Sequence, residues 1–256
     1  MTTSIPRVAL VTGAAKRIGR AIALDLAAYG FAVGVHYRGS ADDAHAVVAE
    51  IKAKGGRAVA LRADLGKEAE VVTLVPHVTE ALGPLGILVN NASLFERDEA
   101  LTTTRADWDA HMETNLRAPF VLSQAFARGL PAGAEGLIVN MLDQRVWNVT
   151  PHFTSYTVSK AGLWTITQTL ALALAPQIRV NAIGPGPVMP STRQTQAQFD
   201  RQVQSVPLQR GPALTEICAA IRFMIEARSM TGQMIALDGG QHLNWASPQL
   251  YPVPEE

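Results

Sequence analysis

Apolar residues in this chain come in short, nearly continuous runs, separated by longer stretches in which they recur every three or four positions. The runs are VALVT from Val8, FAVGVHY from Phe31, AVALRA from Ala58, ILVNN from Ile87, LIVNM from Leu137, IRVNAI from Ile178 and MIAL from Met234. A strand that is apolar on both sides is one covered on both sides, so these runs predict strands inside a layered sheet. Between them Ile18, Ile22, Leu26 and Tyr29 share a helical face, as do Val47, Ile51 and their neighbours. SKAGLWTITQTLALALA from Ser159 is rich in helix-favouring residues. Strand, helix, strand in succession requires parallel pairing with right-handed crossovers. The expected fold is α/β, a doubly wound parallel sheet of about seven strands with helices on both faces.

No Ser/Pro-rich linker, low-complexity tract or repeat breaks the alternation, so residues 1–256 are read as a single domain. Composition refines this only slightly. With 48% hydrophobic residues the chain can bury a substantial core. Its 22 basic and 22 acidic side chains cancel. A polyanion or an anionic membrane needs a basic excess or stripe, so neither nucleic acid nor membrane is expected as a partner, and a small molecule is. Cys218 is the only cysteine and cannot form an internal disulfide, and no Cys/His cluster has metal-ligand spacing. MTTSIPR lacks the apolar core of a signal peptide, and no apolar run approaches the roughly 20 residues that span a bilayer. The expectation is a reduced, metal-free, cytoplasmic protein.

In such a sheet, ligands bind beyond the carboxyl ends of the strands, and the first strand ends at Thr12. There stands VTGAAKRIGRA, Val11 to Ala21. Gly13 permits a tight turn, Gly19 permits close packing of the next helix, and a helix N-terminus near Arg17 offers unpaired amides to phosphate. The strict G-x-G-x-x-G spacing is absent, so these residues alone are equally compatible with an ordinary strand-to-helix loop. A second constellation, SYTVSKAG, places Tyr156 and Lys160 four apart on one helical face. A cation beside a phenol stabilises the phenolate and draws its pKa from about 10 toward working pH, as a general acid requires. An arbitrary pair at this spacing is otherwise a solvated surface feature.

Read in order, TGAAKRIG, ADL at Ala63 to Leu65, NNAS at Asn90 to Ser93, Asn115 in ETNLRAP, YTVSK, PGPV at Pro185 to Val188 and LDGG at Leu237 to Gly240 resemble the short-chain dehydrogenase/reductase family over nearly the whole chain. The resemblance implies a Rossmann fold whose dinucleotide is held by Gly13, Lys16, Arg17, Ile18 and Gly19. It implies Asp64 and Leu65 beside the adenine, Asn90, Asn91, Ala92 and Ser93 on the ribose and nicotinamide side, and Pro185, Gly186 and Val188 at the carboxamide. It further implies that Lys160 binds the nicotinamide ribose and that Asn115 holds a water linking Lys160 to solvent. Strand capping by Asn90 and Asn91, and a rigid turn at 184–187, remain open alternatives.

Two departures narrow the resemblance. The serine that the family carries about thirteen residues before its tyrosine is replaced by Asp143, in NMLDQ. A serine hydroxyl polarises a carbonyl oxygen, whereas a carboxylate accepts hydrogen bonds from an amine-rich heterocycle or helps to route a proton to a ring nitrogen. The second is Arg17, in place of a family glycine. Together they resemble the pteridine reductase branch, which includes dihydromonapterin and alternative dihydrofolate reductases, and TGAAKRIGRAIA, HYRGSADDA, VNNASLF, PLQR and DGGQHL resemble its segments. The branch implies hydride transfer to a pterin C=N bond with Asp143, Tyr156, Lys160 and Asn115 as the catalytic set. It also implies Arg17 beside the cofactor phosphates and the edge of the pterin pocket, since a cation at a helix N-terminus opposes the dipole and wants an anion nearby.

Cofactor choice follows from the second strand. An NAD site places a carboxylate roughly 20 residues after the glycines, for the ribose 2'-hydroxyl. No Asp or Glu occurs from Leu26 to Ala41, where His36, Tyr37, Arg38, Gly39 and Ser40 stand instead. Donors with a permanent cation suit a 2'-phosphate, which predicts NADPH. On the substrate side the resemblance implies Phe95 stacked on the pterin and Ser93 in contact with it. The polar, Gln-rich stretch 189–207 is expected to form a mobile flap, and Trp147 is a further candidate for the pocket lining. A carbonyl reductase of the same fold remains an alternative, as does a non-enzymatic NADP-binding sensor, although such sensors often lose the Tyr or Lys retained here. The family resemblance also implies a homotetramer built on helices around 104–130 and 154–175, with the Pro-rich tail 244–256 lying along a neighbour or free.

Overall fold

All seven apolar runs are strands in the computed structural model, which describes residues 4–191 and 193–243. They are β1 (Val8–Val11), β2 (Ala32–Tyr37), β3 (Ala58–Arg62), β4 (Ile87–Asn90), β5 (Gly136–Met141), β6 (Ile178–Pro185) and β7 (Met234–Leu237). Every pairing is parallel and the order is β3-β2-β1-β4-β5-β6-β7. The helices are α1 (Arg17–Ala28), α2 (Ala41–Ala53), α3 (Glu68–Val71), α4 (Leu74–Leu82), α5 (Arg105–Met112), α6 (Ala118–Gly129), α7 (Thr154–Ala173), α8 (Gln196–Ser205) and α9 (Leu214–Glu226). A π-turn, Glu113–Arg117, joins α5 to α6. This is the expected doubly wound Rossmann arrangement. Among the described residues, no helix is long and apolar enough to cross a membrane.

The pleat sorts the strand residues between two cores. Ala9 and Val11 pack with Ile22, Leu26, Val47, Ile51 and Ile221, from α1, α2 and α9. Val8 and Leu10 point the other way, onto Val75, Val78, Leu122 and Phe126, from α4 and α6. Each side chain fully removed from water contributes about 1.5–3 kcal/mol, and burial on both faces is why these strands show no polar alternation. Because β1 pairs with β2 on one side and β4 on the other, the crossovers leave it in opposite directions, and a crevice opens beyond its carboxyl end.

The helix expected around 154–175 is present, and the stretch 189–207 is partly helical. Helix α7 begins at Thr154, earlier than the run from Ser159 implied, although its N-cap residue, Phe153, offers no capping side chain. The carboxylate of Asp98 substitutes from a distant loop, accepting the Ser155 amide at 3.2 and 3.3 Å. The stretch 189–207 contains α8, closed at its start by a capping box. Thr195 Oγ1 accepts the Gln198 amide at 3.3 Å, and Gln198 Oε1 accepts that of Thr195 at 2.7 Å. No α8 residue is fully buried, and its apolar face is reduced to Phe199 and Val203, four apart in an otherwise polar stretch. The tail 244–256 lies outside the described residues.

Candidate active site

The glycine turn is held open from behind. Thr12, at the end of β1, accepts the amides of Asn91 and Ala92 on its Oγ1, both at 2.9 Å. Asn91 Nδ2 donates to the carbonyls of Thr12 (2.8 Å) and Gly13 (3.3 Å). These bonds sew the ends of β1 and β4 together. Gly13 sits at φ +62°, where a side chain is strained, and a Cβ on Gly19 would lie 2.2 Å from the Gly13 carbonyl oxygen. Helix α1 therefore starts against bare backbone. Its first turn carries no acidic residue and Lys16, the N-cap, makes no capping bond, so the amides there suit a phosphate.

From this turn runs a cleft of about 500 Å³, within the range of ligand sites. Gly13, Lys16, Arg17, Ile18, Gly19, His36, Tyr37, Arg38, Ser40, Asp64, Leu65, Asn91, Ala92 and Ser93 all line it. Arg38 is exposed and has no ion-pair partner among the described residues, while Lys16 is paired with Asp43 at 3.0 Å. Two expectations are corrected here. His36 is not a free donor for a 2'-phosphate: its Nδ1 accepts the Gly13 amide at 3.0 Å and its Nε2 lies 3.1 Å from the Ala63 carbonyl, so both nitrogens are used and the ring is neutral. Burial pushes its pKa down to about 4. Asn90 does not line the cleft, because its amide is buried and donates to Asn140 Oδ1 at 2.8 Å.

At the end of β5, Asp143 and Tyr156 come together. The Tyr156 hydroxyl donates to Asp143 Oδ2 at 3.0 Å. Arg145 clamps the same carboxylate, its amide on Oδ1 at 2.8 Å and its guanidinium on Oδ2 at 3.2 Å. Lys160 is buried, donates to the Met141 carbonyl at 2.8 Å and lies 5.8 Å from the Tyr156 ring centre. Burial lowers its pKa to about 8, with Asp143 opposing the shift, so the ammonium stays mainly charged near neutral pH. Asn115 is buried in the π-turn between α5 and α6. Its Oδ1 accepts from the Leu94 amide (2.8 Å) and the Ser93 hydroxyl (3.2 Å), and its Nδ2 donates to the Leu94 carbonyl (2.9 Å) and Ser159 Oγ (3.1 Å). With its four side-chain hydrogen bonds made inside the protein, the amide fixes the loop that carries Ser93 and Leu94.

A second pocket, of about 230 Å³, brings together Phe95, Asp143, Arg145, Tyr156, Pro185, Gly186, Val188, Met189, Gln194 and Gln202, and it shares Arg17 and Ile18 with the cleft. Gly186 is required at its wall, since a Cβ there would meet the Asp238 Cα at 2.7 Å. One face of Phe95 is stacked on Phe153 (4.4 Å, 8°) and its ring meets Tyr156 edge-on (4.7 Å, 72°). Arg17, at φ +53°, donates to the carbonyls of Pro190 (2.7 Å) and Met189 (3.2 Å), and Arg193 bonds the Phe95 carbonyl and Glu96. Ser93 does not reach this pocket, because its hydroxyl turns toward Asn115 and Leu94. Trp147 also lies outside, packed on Trp164 and His242. Sequence reasoning missed Thr12 and Arg145. The charge alternation in Asp143-Gln144-Arg145 was the one available signal for the latter.

Comparison with known proteins matches the family model of short chain dehydrogenase over residues 7–202. A 3-oxoacyl-[acyl-carrier-protein] reductase, FabG, of Staphylococcus epidermidis is 35% identical over 240 residues, covering 92% of this chain and 98% of the relative. Among solved structures, FolM alternative dihydrofolate reductase 1 from Brucella canis, complexed with NADP, is 48% identical with a TM-score of 0.93, over 96% of this chain and 98% of that one. The FolM protein from Brucella suis, also with NADP, is 50% identical with a TM-score of 0.91, over 94% and 97%.

Proposed function

The chain belongs to the short-chain dehydrogenase family, and on that premise we propose that it is an NADPH-dependent reductase of a pterin C=N bond, taking a dihydropterin or dihydrofolate to its tetrahydro form. When bound, NADPH supplies the hydride. Its fit is supported by the uncapped amides of α1, by the glycines whose added Cβ would strike backbone, and by Arg38 where an NAD site carries a carboxylate. The FolM structures at 48% and 50% identity were solved with NADP.

The observation that carries the substrate class is the bond from Tyr156 to Asp143. An ionised carboxylate only accepts hydrogen bonds, so a substrate oxygen placed beside it would meet lone pairs, whereas ring and amino N–H groups find a partner. Tyr156 is the group that moves a proton to the ring nitrogen beside the reduced carbon: its hydroxyl, held in the pocket by its bond to Asp143 Oδ2, gives up that bond and turns to the nitrogen, while Asp143 takes the substrate's N–H groups. Lys160 keeps positive charge beside the phenol and offsets the charge left behind. Phe95, stacked on Phe153 and with the Arg145 guanidinium over its ring at 5.4 Å, supplies an aromatic wall for a flat ring, and Arg17 and Arg193 tie that wall and the dinucleotide turn to the 189–207 segment. A homotetramer built on α5 to α7 belongs to the same reading and rests on the family resemblance.

A second reading, reduction of a 3-oxoacyl thioester, is favoured by the 35% identical FabG relative. The two are separated by following NADPH oxidation with dihydrobiopterin and dihydrofolate against a 3-oxoacyl thioester and a ketone panel. The proposed activity gives turnover with the first pair. Turnover confined to the others transfers the chain to the second reading.

A further inference from the structure

We propose that His111 is a positioning residue that locks the Phe95 loop and the Tyr156 hydroxyl into one frame, a role that rests on the reductase reading above. The imidazole is fully buried on α5, between the loop that carries Phe95 and the first turn of α7. On one side Nε2 accepts the backbone N–H of Glu96, next to Phe95, at 3.1 Å. On the other, Nδ1 lies 2.7 Å from Ser155 Oγ and 3.1 Å from the Asp107 carbonyl. An acceptor at Nε2 puts the proton on Nδ1, which makes the ring neutral and Nδ1 the donor toward α7. The Ser155 hydroxyl donates onward to Asp98, whose carboxylate also takes the Ser155 amide and, at 3.1 Å, the Thr103 hydroxyl.

Ser155 immediately precedes Tyr156, and the His111 ring also meets the Tyr156 ring edge-on at 6.1 Å. Phe153, the cap residue of α7, gives that turn no side-chain bond and sits at φ +61°. The turn bearing the proton donor is thus held by Asp98, Ser155 and His111 rather than by its own cap. The same imidazole grips the backbone beside the ring that faces the substrate, so a shift at either end is passed to the other. Misplacement of reacting groups by about 1 Å costs on the order of 100-fold in rate, which makes such a frame matter.

The frame holds only while His111 is neutral, because a protonated Nε2 would present N–H to the Glu96 N–H. The charged groups facing the ring are Asp98 and Glu96 from the loop and Asp107 from its own helix, with the Tyr156 phenol facing it from α7. The carboxylates favour the charged ring, but burial outweighs them and lowers the pKa below its ordinary value of 6.5.

One-sided replacements test this. In His111→Gln the amide oxygen reaches the place of Nε2 and still accepts from Glu96, in His111→Asn an amide N–H still donates toward Ser155, and in His111→Ala both are gone. NADPH binding, the check on folding, is expected to stay within about threefold of the unaltered protein in all three. His111→Ala is expected to lose kcat on the order of 10- to 100-fold, with faster amide exchange at both 96 and 155. The unaltered enzyme is expected to show an acid limb below the ordinary imidazole value, and His111→Gln is expected to recover most of the turnover, keep slow exchange at 96 and lack that limb. Unchanged kcat in His111→Ala, or an acid limb retained in His111→Gln, overturns the proposal. If the unaltered enzyme reduces no pterin, the reductase reading has failed. Amide exchange then decides this one alone, with independent responses at 96 and 155 overturning it.

Discussion

The Tyr156 hydroxyl and Asp143 Oδ2 stand 3.0 Å apart, with the guanidinium of Arg145 on the same oxygen. A carboxylate pinned by an arginine cannot swing away, so it fixes the direction in which the phenol proton points. Replacing Tyr156 with Phe keeps the ring against Phe95 and removes the proton. The expected loss in turnover is on the order of 10²- to 10⁴-fold with NADPH affinity nearly unchanged. Binding titration and steady-state assay together check this, and equal loss of both would contradict the assigned role.

Arg17 pairs an unfavourable backbone with a useful side chain. At φ +53° a non-glycine residue costs on the order of 1–3 kcal/mol, while its guanidinium ties the carbonyls of Met189 and Pro190 to the dinucleotide turn. Arg17→Gly removes the strain and the tie together. Thermal stability is expected to change by no more than about 1 kcal/mol, because glycine's unfolded-state entropy offsets the relief. The pterin KM is expected to rise about tenfold. An unchanged KM in the steady-state assay contradicts this coupling.

The strands were legible because burial on both faces leaves unbroken apolar runs, and the proposed substrate class rests on one residue that the sequence already singled out, Asp143. What could not be read were bonds between positions far apart in the chain. His36 and Arg38 belong to the same polar segment, yet the three-dimensional placement of Gly13 and Ala63 turns the histidine into a neutral strut, while Arg38 is exposed with no ion-pair partner among the described residues. Asn115 is saturated by Leu94, Ser93 and Ser159, none of them near it in sequence. Helix α8 could have been found, since Thr195 and Gln198 form a capping box and Phe199 and Val203 stand four apart, although the rest of the stretch is polar.

Gly19→Ala directs a methyl group at the Gly13 carbonyl oxygen, 2.2 Å away, and at Asn91 Nδ2, 2.5 Å away, which is itself held by bonds to the Thr12 and Gly13 carbonyls. Overpacking of this kind costs about 1–3 kcal/mol or more. The expected result is a lowered Tm and the loss of the Tm increase on adding NADPH. A variant that keeps the full NADPH-induced increase would show that the turn is not the phosphate seat.

His36 makes stability depend on pH with a defined sign. Its folded pKa of about 4 lies below the ordinary 6.5, so between those values the unfolded chain binds the extra proton and folding weakens as pH falls. The stability is present above 6.5 and is lost progressively down to about 4. The full difference corresponds to about 3 kcal/mol. Urea unfolding at a series of pH values should show this slope, and its absence would contradict the neutral, doubly bonded ring.

The most direct test of the central claim is the single-turnover rate of hydride transfer to a dihydropterin, measured for the unaltered enzyme and for Asp143→Ser at saturating NADPH. The account predicts that the serine variant binds NADPH normally and loses at least about 100-fold in that rate. A serine variant that reduces the dihydropterin as fast as the unaltered enzyme would contradict it.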